Sequence, residues 1–284
     1  MDNKTLFNRF FKVSGLYRFS KILKCLNPKA YEIIRWKMGK PMNQRSLLPF
    51  IIRKGDTVFD IGANKGQFAL PLAHLVGKNG IVHAFEPISK SFNELCMSIK
   101  REKLSSRIVP NQLALGDSPG YVKFTIPQEM LTEATLIPHN IEGWVNYDNE
   151  PQKYFTETCK ITTLNQYVKE NQIGNINFIK CDVEGAELLV LKGAKSVLQS
   201  SSPPILMMEV FEGWSRDFGY LPKDLFEFLK KEAGYEFYWI YESGLKRVEP
   251  DDKIIPGIFW KYLDYLCIVP NIHNKRINVK RYLT

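Results

Sequence analysis

Residues Thr57–Gly66, Thr-Val-Phe-Asp-Ile-Gly-Ala-Asn-Lys-Gly, join the end of an apolar strand to an acid and a glycine-rich turn. Asp60 closes the strand, and we predict that a helix begins near Gln67. Glycines let a backbone approach a ligand closely, and the free N–H groups of a helix N-terminus receive polar ligand atoms. The stretch therefore predicts a cofactor cradle. Its turn residues are Gly62, Asn64 and Gly66.

The spacing of this turn differs from the dinucleotide fingerprint G-x-G-x-x-G, because Asn64 and Gln67 stand where the second and third glycines belong. The carboxylate of Asp60 would also repel a pyrophosphate, whereas it suits the ammonium and sulfonium charges of S-adenosylmethionine. The pattern thus favours S-adenosylmethionine over a nicotinamide dinucleotide. The structural alternative is an ordinary strand-turn-helix corner that binds nothing.

A second acid, Glu86, follows the next predicted strand in the sequence Ala-Phe-Glu-Pro, 26 residues after Asp60. An acid at the end of the second strand can accept hydrogen bonds from both hydroxyls of a ribose. Its other reading is a cap for the helix that begins near Ser89. The predicted strand, the acid at its end and its spacing from Asp60 all fit a ribose-binding role, so we assign Glu86 to ribose binding.

Five sequence blocks occur in a recognisable order between about Thr57 and Val210. They are Val-Phe-Asp-Ile-Gly-Ala-Asn-Lys-Gly-Gln, Ala-Phe-Glu-Pro, Leu-Ala-Leu-Gly-Asp, Ile-Thr-Thr-Leu-Asn and Ile-Lys-Cys-Asp-Val-Glu-Gly-Ala-Glu. Together they resemble the successive blocks of FkbM-family methyltransferases, and the last block is the most distinctive. Cys181 and Asn165 depart from the residues usual in that family, but no motif acid is missing.

The resemblance implies a class I, Rossmann-like α/β fold with S-adenosylmethionine as donor and a hydroxyl oxygen as methyl acceptor, on a small molecule, sugar or glycan. The expected sheet is mostly parallel, has seven strands and carries helices on both faces. We place this domain at residues 55–270, after a basic helical extension at residues 1–54 and before a basic tail at residues 271–284.

The strand predicted at residues 177–181 ends at Asp182, and the class I strand order that the resemblance implies places it beside the first strand. We therefore expect Asp182 near the transferred methyl group, in contact with the cofactor. Glu184 and Glu209 follow strand ends and could converge on the same rim. One of these three carboxylates could act as a base, or all three could bind Mg²⁺ and lower the pKa of the hydroxyl.

The structural alternative for Asp182 and Glu184 is capping of a single helix that we predict over residues 185–198. Glu187, in the first turn of that helix, is assigned to the helix dipole. A strand predicted over residues 107–114 should end beside the adenine. The adenine candidates are Gln112, Leu113 and Ala114.

Residues 127–158 show no clear periodicity, so we predict a long loop that either recognises the acceptor or packs on the surface. The net charge of +9 is concentrated near the start of the chain, where residues 1–54 contain 13 Lys or Arg against Asp2 and Glu32. Residues 1–40 predict basic amphipathic helices, which either cap the core or lie on an anionic membrane. No recognised nucleic-acid module is present, and nucleic acid is not an expected partner.

Five cysteines without a C-x-x-C pair indicate a reducing compartment, and neither a signal peptide nor a membrane span is expected. The expected location is cytoplasmic, with peripheral membrane contact as an added hypothesis. Two other functions remain open at this stage. One is a noncatalytic protein that binds membranes or polyanions on a methyltransferase-like core, and the less favoured one is an NAD(P)-dependent oxidoreductase.

Overall fold

The computed structural model describes residues 23–127, 154–250 and 263–283. The strands are β1 Thr57–Ile61, β2 Ile81–Phe85, β3 Ile108–Asn111, β4 Ala114–Leu115, β5 Gly120–Pro127, β6 Tyr154–Thr162, β7 Phe178–Cys181, β8 Ile205–Val210, β9 Glu236–Tyr241, β10 Gly244–Val248 and β11 Leu263–Ile268. The α-helices are α1 Pro28–Lys37, α2 Gln44–Ile51, α3 Ala69–Val76, α4 Ser89–Arg101, α5 Leu164–Glu170, α6 Glu187–Lys192, α7 Lys195–Leu198, α8 Glu212–Asp217, α9 Pro222–Ala233 and α10 Pro270–His273. A 3₁₀ helix covers Val279–Arg281.

The larger sheet contains eight strands in the order β10-β9-β11-β8-β7-β1-β2-β3. From β8 to β3 all neighbours pair in parallel, whereas β11 runs antiparallel between β8 and β9. This is the mostly parallel, Rossmann-like sheet that we expected, with one strand more than the predicted seven. The additional strand, β10, forms because the two-residue turn Glu242–Ser243 folds the chain back against β9.

Helices cover both faces of the larger sheet, and adjacent residues of β1 show how. Val58 belongs to the apolar cluster that contains Leu47 of α2 and Leu72 of α3. Phe59 belongs to the opposite cluster, with Leu164 of α5 and with residues of α6 and α9. Because successive strand side chains point to opposite faces, strands buried on both sides must be apolar at nearly every position.

The smaller sheet has the order β4-β6-β5, and its β5–β6 pair is antiparallel, as the alternation over residues 121–126 predicts. Two predictions about this region are wrong. Residues 107–114 are not one strand, because Pro110 lacks an N–H and lies in the edge strand β3, after which the chain leaves the sheet and adds β4 to the smaller one. Residues 154–158 form part of β6 instead of a loop, and residues 128–153 lie outside the described residues.

The predicted helix over residues 185–198 is two short helices, α6 and α7, with Gly193 between them. A Cβ on Gly193 would lie 1.9 Å from the Gly116 carbonyl oxygen, so the chain approaches the end of β4 too closely for a side chain. Helix α5, which precedes this helix pair in the chain, begins against this point, where the Asn165 N–H donates to the Gly193 carbonyl at 2.9 Å. The break thus lets the helix pair pack directly against the smaller sheet.

The C-terminal segment packs on the domain. Arg276 binds both carboxylate oxygens of Asp56 at 2.5 and 2.8 Å, and Ile277 and Val279 are buried in the core. Such a bidentate pair fixes both distance and direction. In the part of the chain that the structure describes, no helix combines the length and the apolar character needed to cross a membrane.

Candidate active site

A cleft of about 230 Å³ opens at the carboxyl ends of β1, β2 and β7. This is the edge at which parallel α/β sheets bind ligands. Its walls combine the turn after β1, the turn after β2, the segment after β3 and the loop after β7. The predicted site residues on these walls are Gly62, Asn64, Glu86, Leu113, Ala114, Asp182 and Glu184.

Gly62 lies where two loops touch. A Cβ added there would be 1.8 Å from the Asp182 carbonyl oxygen, and its φ of +84° favours glycine in any case. The Gly62 and Ala63 N–H groups donate to the Phe85 carbonyl at 3.0 and 2.9 Å. The β1 turn is therefore held between the ends of β2 and β7, with its backbone against the cleft. Gly66 packs on Leu95 instead and is not on the cleft wall.

Asn64 has a left-handed backbone, with φ of +45°, and its Oδ1 atom is buried without a hydrogen-bond partner. Asparagine tolerates this conformation better than most residues. A buried acceptor without a donor costs free energy, so its placement on a cleft wall favours a ligand that donates to it. Asn64 is thus an unsatisfied acceptor at the mouth of the predicted cradle.

Glu86 connects the β1 and β2 turns. One carboxylate oxygen accepts the Asn64 N–H at 2.9 Å, and the other accepts the Ile88 N–H at 3.0 Å. The side chain is only 6% exposed, and burial raises its pKa to about 7, although the two N–H donors lower it. Each carboxylate oxygen has a second acceptor site, so Glu86 can still bind hydroxyl groups in the cleft.

Asp60 lies behind the turn and not on the cleft wall. It is 1% exposed, and its Oδ2 atom has no hydrogen-bond partner. Burial raises its pKa to about 7, while the Lys180 ammonium and a hydrogen bond from the Ala69 N–H lower it. Asp60 therefore affects the cleft indirectly, through its charge and through its support of the turn after β1.

One wall of the cleft is apolar. Leu113 and Ala114 lie there with Phe85, Ile88 and Phe124, which suits a flat heteroaromatic ring. Gln112, the third adenine candidate, is not among the lining residues. Its Nε2 group donates to Ser89 Oγ at 2.8 Å, so the side chain belongs to the outer edge of the β2 turn.

Asp182 is the acid on the opposite wall, and a buried lysine holds it. Lys180 Nζ lies 2.9 Å from Asp182 Oδ2, and the lysine side chain is 1% exposed. The ammonium also lies 5.1 Å from the ring centre of Phe68, which lines the cleft. A buried ammonium fixes the orientation of the partly exposed Asp182 carboxylate more firmly than an exposed ammonium would.

Glu209 lies behind Asp182 and does not line the cleft. It is hydrogen-bonded to Asp182, and burial followed by the Asp182 charge raises the pKa of Glu209 to about 9. Two hydrogen-bonded carboxyl groups need a proton between them, and burial beside the charge of Asp182 favours that proton on Glu209. Glu209 thus meets Asp182, as the sequence suggested, but from within β8, which extends to Val210, and not from the cleft wall that carries Asp182 and Glu184.

The surroundings of Lys180 contain further groups that the sequence did not reveal. Asp264 of β11 interacts with the Lys180 ammonium and accepts a hydrogen bond from Gln44 of α2. Burial raises the pKa of Asp264 to about 6, and Lys180 lowers it. We call Lys180, Asp60, Asp182, Glu209 and Asp264 the acid cluster. The available signal was Lys180 itself, the one charged residue in an apolar strand.

The loop after β7 is shaped by Glu187. Its Oε1 atom accepts the Val183 N–H at 3.0 Å and the Gly185 N–H at 3.3 Å, and Tyr220 lies 3.3 Å from the other oxygen. Burial raises the pKa of Glu187 to about 7. The helix-dipole role predicted for Glu187 is thus secondary, because its carboxylate organises the loop that places Glu184 on the cleft wall, with φ of +53°.

The described residues contain no group of three His, Cys, Asp or Glu side chains placed to hold a metal ion. The Mg²⁺ site that the sequence suggested at Asp182, Glu184 and Glu209 is therefore not supported by the described residues. The physical reason is visible at Asp182, where the buried Lys180 ammonium neutralises the carboxylate. The five cysteines are free thiols and add no ligand set of their own.

The strand order and the cleft at the carboxyl ends of β1, β2 and β7 define a Rossmann-like class I methyltransferase fold. The sequence profile described as "Methyltransferase FkbM domain" matches residues 60–237, which include every wall of the cleft. The chain belongs to the FkbM methyltransferase family. The family expectation from the sequence blocks is thus confirmed.

Two curated relatives are similar to this chain. The 31-O-demethyl-FK506 methyltransferase FkbM of Streptomyces tacrolimicus is 28% identical over 162 residues, which cover 51% of this chain and 61% of that protein. The hexuronic acid methyltransferase AglP of Haloferax volcanii is 24% identical over 201 residues, covering 69% of this chain and 72% of that protein. A crystal structure of methyltransferase FkbM from Methylobacillus flagellatus aligns with 84% of this chain and 50% of its own, at 18% identity and a TM-score of 0.49.

Proposed function

We propose that this protein is an S-adenosylmethionine-dependent methyltransferase that acts on a hydroxyl oxygen of a small molecule, sugar or glycan. The observation that carries the proposal is the pair of acids on opposite walls of one cleft, Glu86 after β2 and Asp182 after β7. Family membership supports the reaction class. The names of the two curated relatives, one a 31-O-demethyl-FK506 methyltransferase and one a hexuronic acid methyltransferase, support the acceptor class.

The residues present fit S-adenosylmethionine. Asn64 offers a buried acceptor that lacks a donor, and Glu86 has acceptor sites left for two ribose hydroxyls. The wall around Leu113 and Ala114 would take the adenine. On the other side, Asp182 lines the cleft, and with Glu209 protonated the acid cluster still has three other carboxyl groups against one ammonium, which suits a cationic ligand and disfavours a pyrophosphate. The fit therefore also weighs against the NAD(P)-dependent alternative.

The bound cofactor would supply an activated methyl group, and the chain would supply alignment and a proton acceptor. We assign the proton acceptor to Asp182, which lines the cleft. Lys180 holds one oxygen of that carboxylate at 2.9 Å and so aims the group. Glu209 already carries a proton and lies behind Asp182, which makes it a positioning residue. Glu184 is on the cleft wall and is assigned to acceptor contact.

A transfer assay tests this proposal. The full-length protein would be incubated with S-adenosylmethionine labelled in the methyl group, together with pools of uronic acids, glycosides and macrocyclic alcohols. We expect label in a hydroxyl-bearing acceptor and an equal amount of S-adenosylhomocysteine. The Asp182→Asn variant should bind the cofactor yet transfer label at least about 100-fold more slowly than the wild type. Label that appears on nitrogen or carbon, or transfer by the Asp182→Asn variant at a rate close to that of the wild type, would contradict the assignment.

A further inference from the structure

Helix α1 has an apolar face that the described part of the fold leaves uncovered. None of its residues is buried. Ile33, Ile34 and Met38 are 42%, 45% and 44% exposed, and Leu26 just before the helix is 81% exposed. Ile34 and Met38 are four residues apart and therefore adjacent on the helix surface. Apolar side chains grouped in this way on one short helix mark an interaction surface.

Positive charge surrounds these apolar residues. Lys29 and Lys37 each lie four residues from Ile33, on the same side of the helix, and both are exposed. The single acid between residues 23 and 54 is Glu32, and Arg35 neutralises it at 2.6 Å. We call Lys29, Ile33, Ile34, Lys37 and Met38 the α1 face. It is both apolar and cationic.

The α1 face is attached to the domain that contains the cleft. Trp36 lies 6.0 Å from the Tyr282 ring, which in turn lies 5.4 Å from Phe50 of α2. Helix α2 continues the contact toward the cleft, because Arg45 donates to Gln67 on the cleft wall at 2.7 Å. A surface that binds α1 would therefore hold the cleft at a fixed distance and orientation.

We propose that the α1 face docks this protein on an anionic lipid surface. Its isoleucines and methionine would enter the boundary of the acyl chains, while the lysines reach the anionic headgroups. Two other candidates for covering the α1 face, residues 1–22 of the chain and a second copy of the protein, lack charge complementarity with it. Residues 1–22 carry five Lys or Arg against Asp2, and a second copy would present the same cationic face. A nucleic acid would match the charge but would leave the isoleucines exposed to water.

Vesicle flotation of the full-length protein tests the proposal. One set of vesicles is pure phosphatidylcholine, and the other contains three parts phosphatidylcholine to one part phosphatidylglycerol. Two variants alter the α1 face, Ile33→Ser/Ile34→Ser and Lys29→Glu/Lys37→Glu. Two matched controls carry the same kinds of change on other helices, Met97→Ser and Lys169→Glu/Lys192→Glu, at exposed positions.

We expect binding to the anionic vesicles and at least tenfold weaker binding to the neutral ones. Each α1 variant should lower the anionic affinity at least tenfold, whereas both controls should bind like the wild type. If the Ile33→Ser/Ile34→Ser variant binds anionic vesicles as tightly as the wild type, the contact is a general one with polyanions and the proposal is overturned. Absence of wild-type binding, or a dimer that the Ser variant converts to a monomer, would overturn it as well.

Discussion

Two acid sites flank β1 at the same edge of the sheet, and they are built differently. Around Glu86 the partners are backbone N–H groups of Asn64 and Ile88, which are fixed by the turns themselves. Around Asp182 the partners are side chains, Lys180 and Glu209, which come from two strands. A site made of backbone groups gives a constant shape for recognition, whereas a site made of charges can respond to a change in charge. We infer that the first holds the cofactor and the second serves the reaction.

The largest expected effect is on turnover at the Asp182 side. Replacement of Asp182 by Asn keeps the shape and removes the proton acceptor, so kcat should fall about 10²–10⁴-fold while the Kd for S-adenosylmethionine stays within about threefold. Steady-state kinetics and calorimetry on the same preparation would measure both values. Glu184→Gln, the same change on the same loop, should cost less than about tenfold. Equal losses of kcat in the two variants would contradict the assignment of the proton acceptor to Asp182 and not to Glu184.

The next effect concerns stability. Lys180→Met leaves Asp182 and Asp264 without their buried counter-ion, so the free energy of unfolding should fall by about 3–5 kcal/mol. Urea denaturation at pH 7 would measure it. Lys195→Met is the control, because Lys195 is half exposed in its 3.1 Å ion pair with Glu232 and its loss should cost about 0–1 kcal/mol. Similar costs in both variants would show that the acid cluster does not depend on the ammonium.

Substitution of Glu86 should change the Kd for S-adenosylmethionine and not kcat, which is the reverse of the effect expected for Asp182. In Glu86→Gln an amide group faces one of the two backbone N–H donors, so the turn loses a charge-assisted bond. The Kd for S-adenosylmethionine should rise about 10–100-fold, and kcat should change little. Gln112→Ala serves as the control, since Gln112 lies next to this turn but not on the cleft wall, and its Kd should equal that of the wild type. A loss of kcat without a change in Kd would contradict the recognition role.

A smaller effect is expected in the pH dependence of stability. The pKa of Glu187 is raised from 4.5 to about 7, so the folded state binds its proton more tightly than the unfolded state does. The stabilising contribution is complete below about pH 4.5 and is lost as the pH rises through about 7. Relative to Glu187→Gln, the wild type should lose about 2–3 kcal/mol between pH 5 and pH 8, since each pH unit in which only the folded state is protonated costs about 1.4 kcal/mol.

Denaturation curves of the two proteins at several pH values would show this difference. The exposed Glu170→Gln variant, whose substitution lies on the surface of α5, should follow the wild type at every pH. A constant difference between wild type and Glu187→Gln across the range would mean that Glu187 is ionised throughout and supports the loop only as a charged group.

The smallest expected effect is that of a chelator. The Lys180 ammonium supplies the positive charge beside Asp182, and no described group of acids is placed to hold a metal ion. Turnover in excess EDTA should therefore equal turnover in buffer. A loss of activity that Mg²⁺ restores would show that the Asp182 side is a metal site, and the contrast between the two acid sites would have to be revised.

The sequence predicted the site around Glu86, which is made of backbone groups, better than the site around Asp182, which is made of charged side chains. The cradle and Glu86 follow from short contiguous patterns, a strand, a turn and a helix start, and these recur in the structure at β1, β2 and α4. Asp60 is an exception. The sequence placed it correctly near the end of β1, but its side chain is buried and does not line the cleft. Strand periodicity alone does not say which face of a doubly covered sheet a residue will occupy.

The acid cluster was predicted only in part. The sequence suggested that Asp182 and Glu209 meet, but Lys180 and Asp264 join them only after β7, β8 and β11 have assembled in one sheet. Asp264 also requires that β11 insert antiparallel between β8 and β9, in a register that a short apolar strand does not determine. The same limit explains the breaks after Asn111 and at Gly193, where the chain meets the smaller sheet. The unexpected features all depend on tertiary contacts.

The identity of the ligand that the cleft binds is the most direct test of the proposed function. Calorimetric titration of the full-length protein with S-adenosylmethionine and, separately, with NADH would compare the two ligands, and Glu86→Gln would be titrated alongside. We expect binding of S-adenosylmethionine, weakened about 10–100-fold by the substitution, and no binding of NADH at the same concentrations. Preferential binding of NADH, or an affinity for S-adenosylmethionine that Glu86→Gln leaves unchanged, would contradict the account.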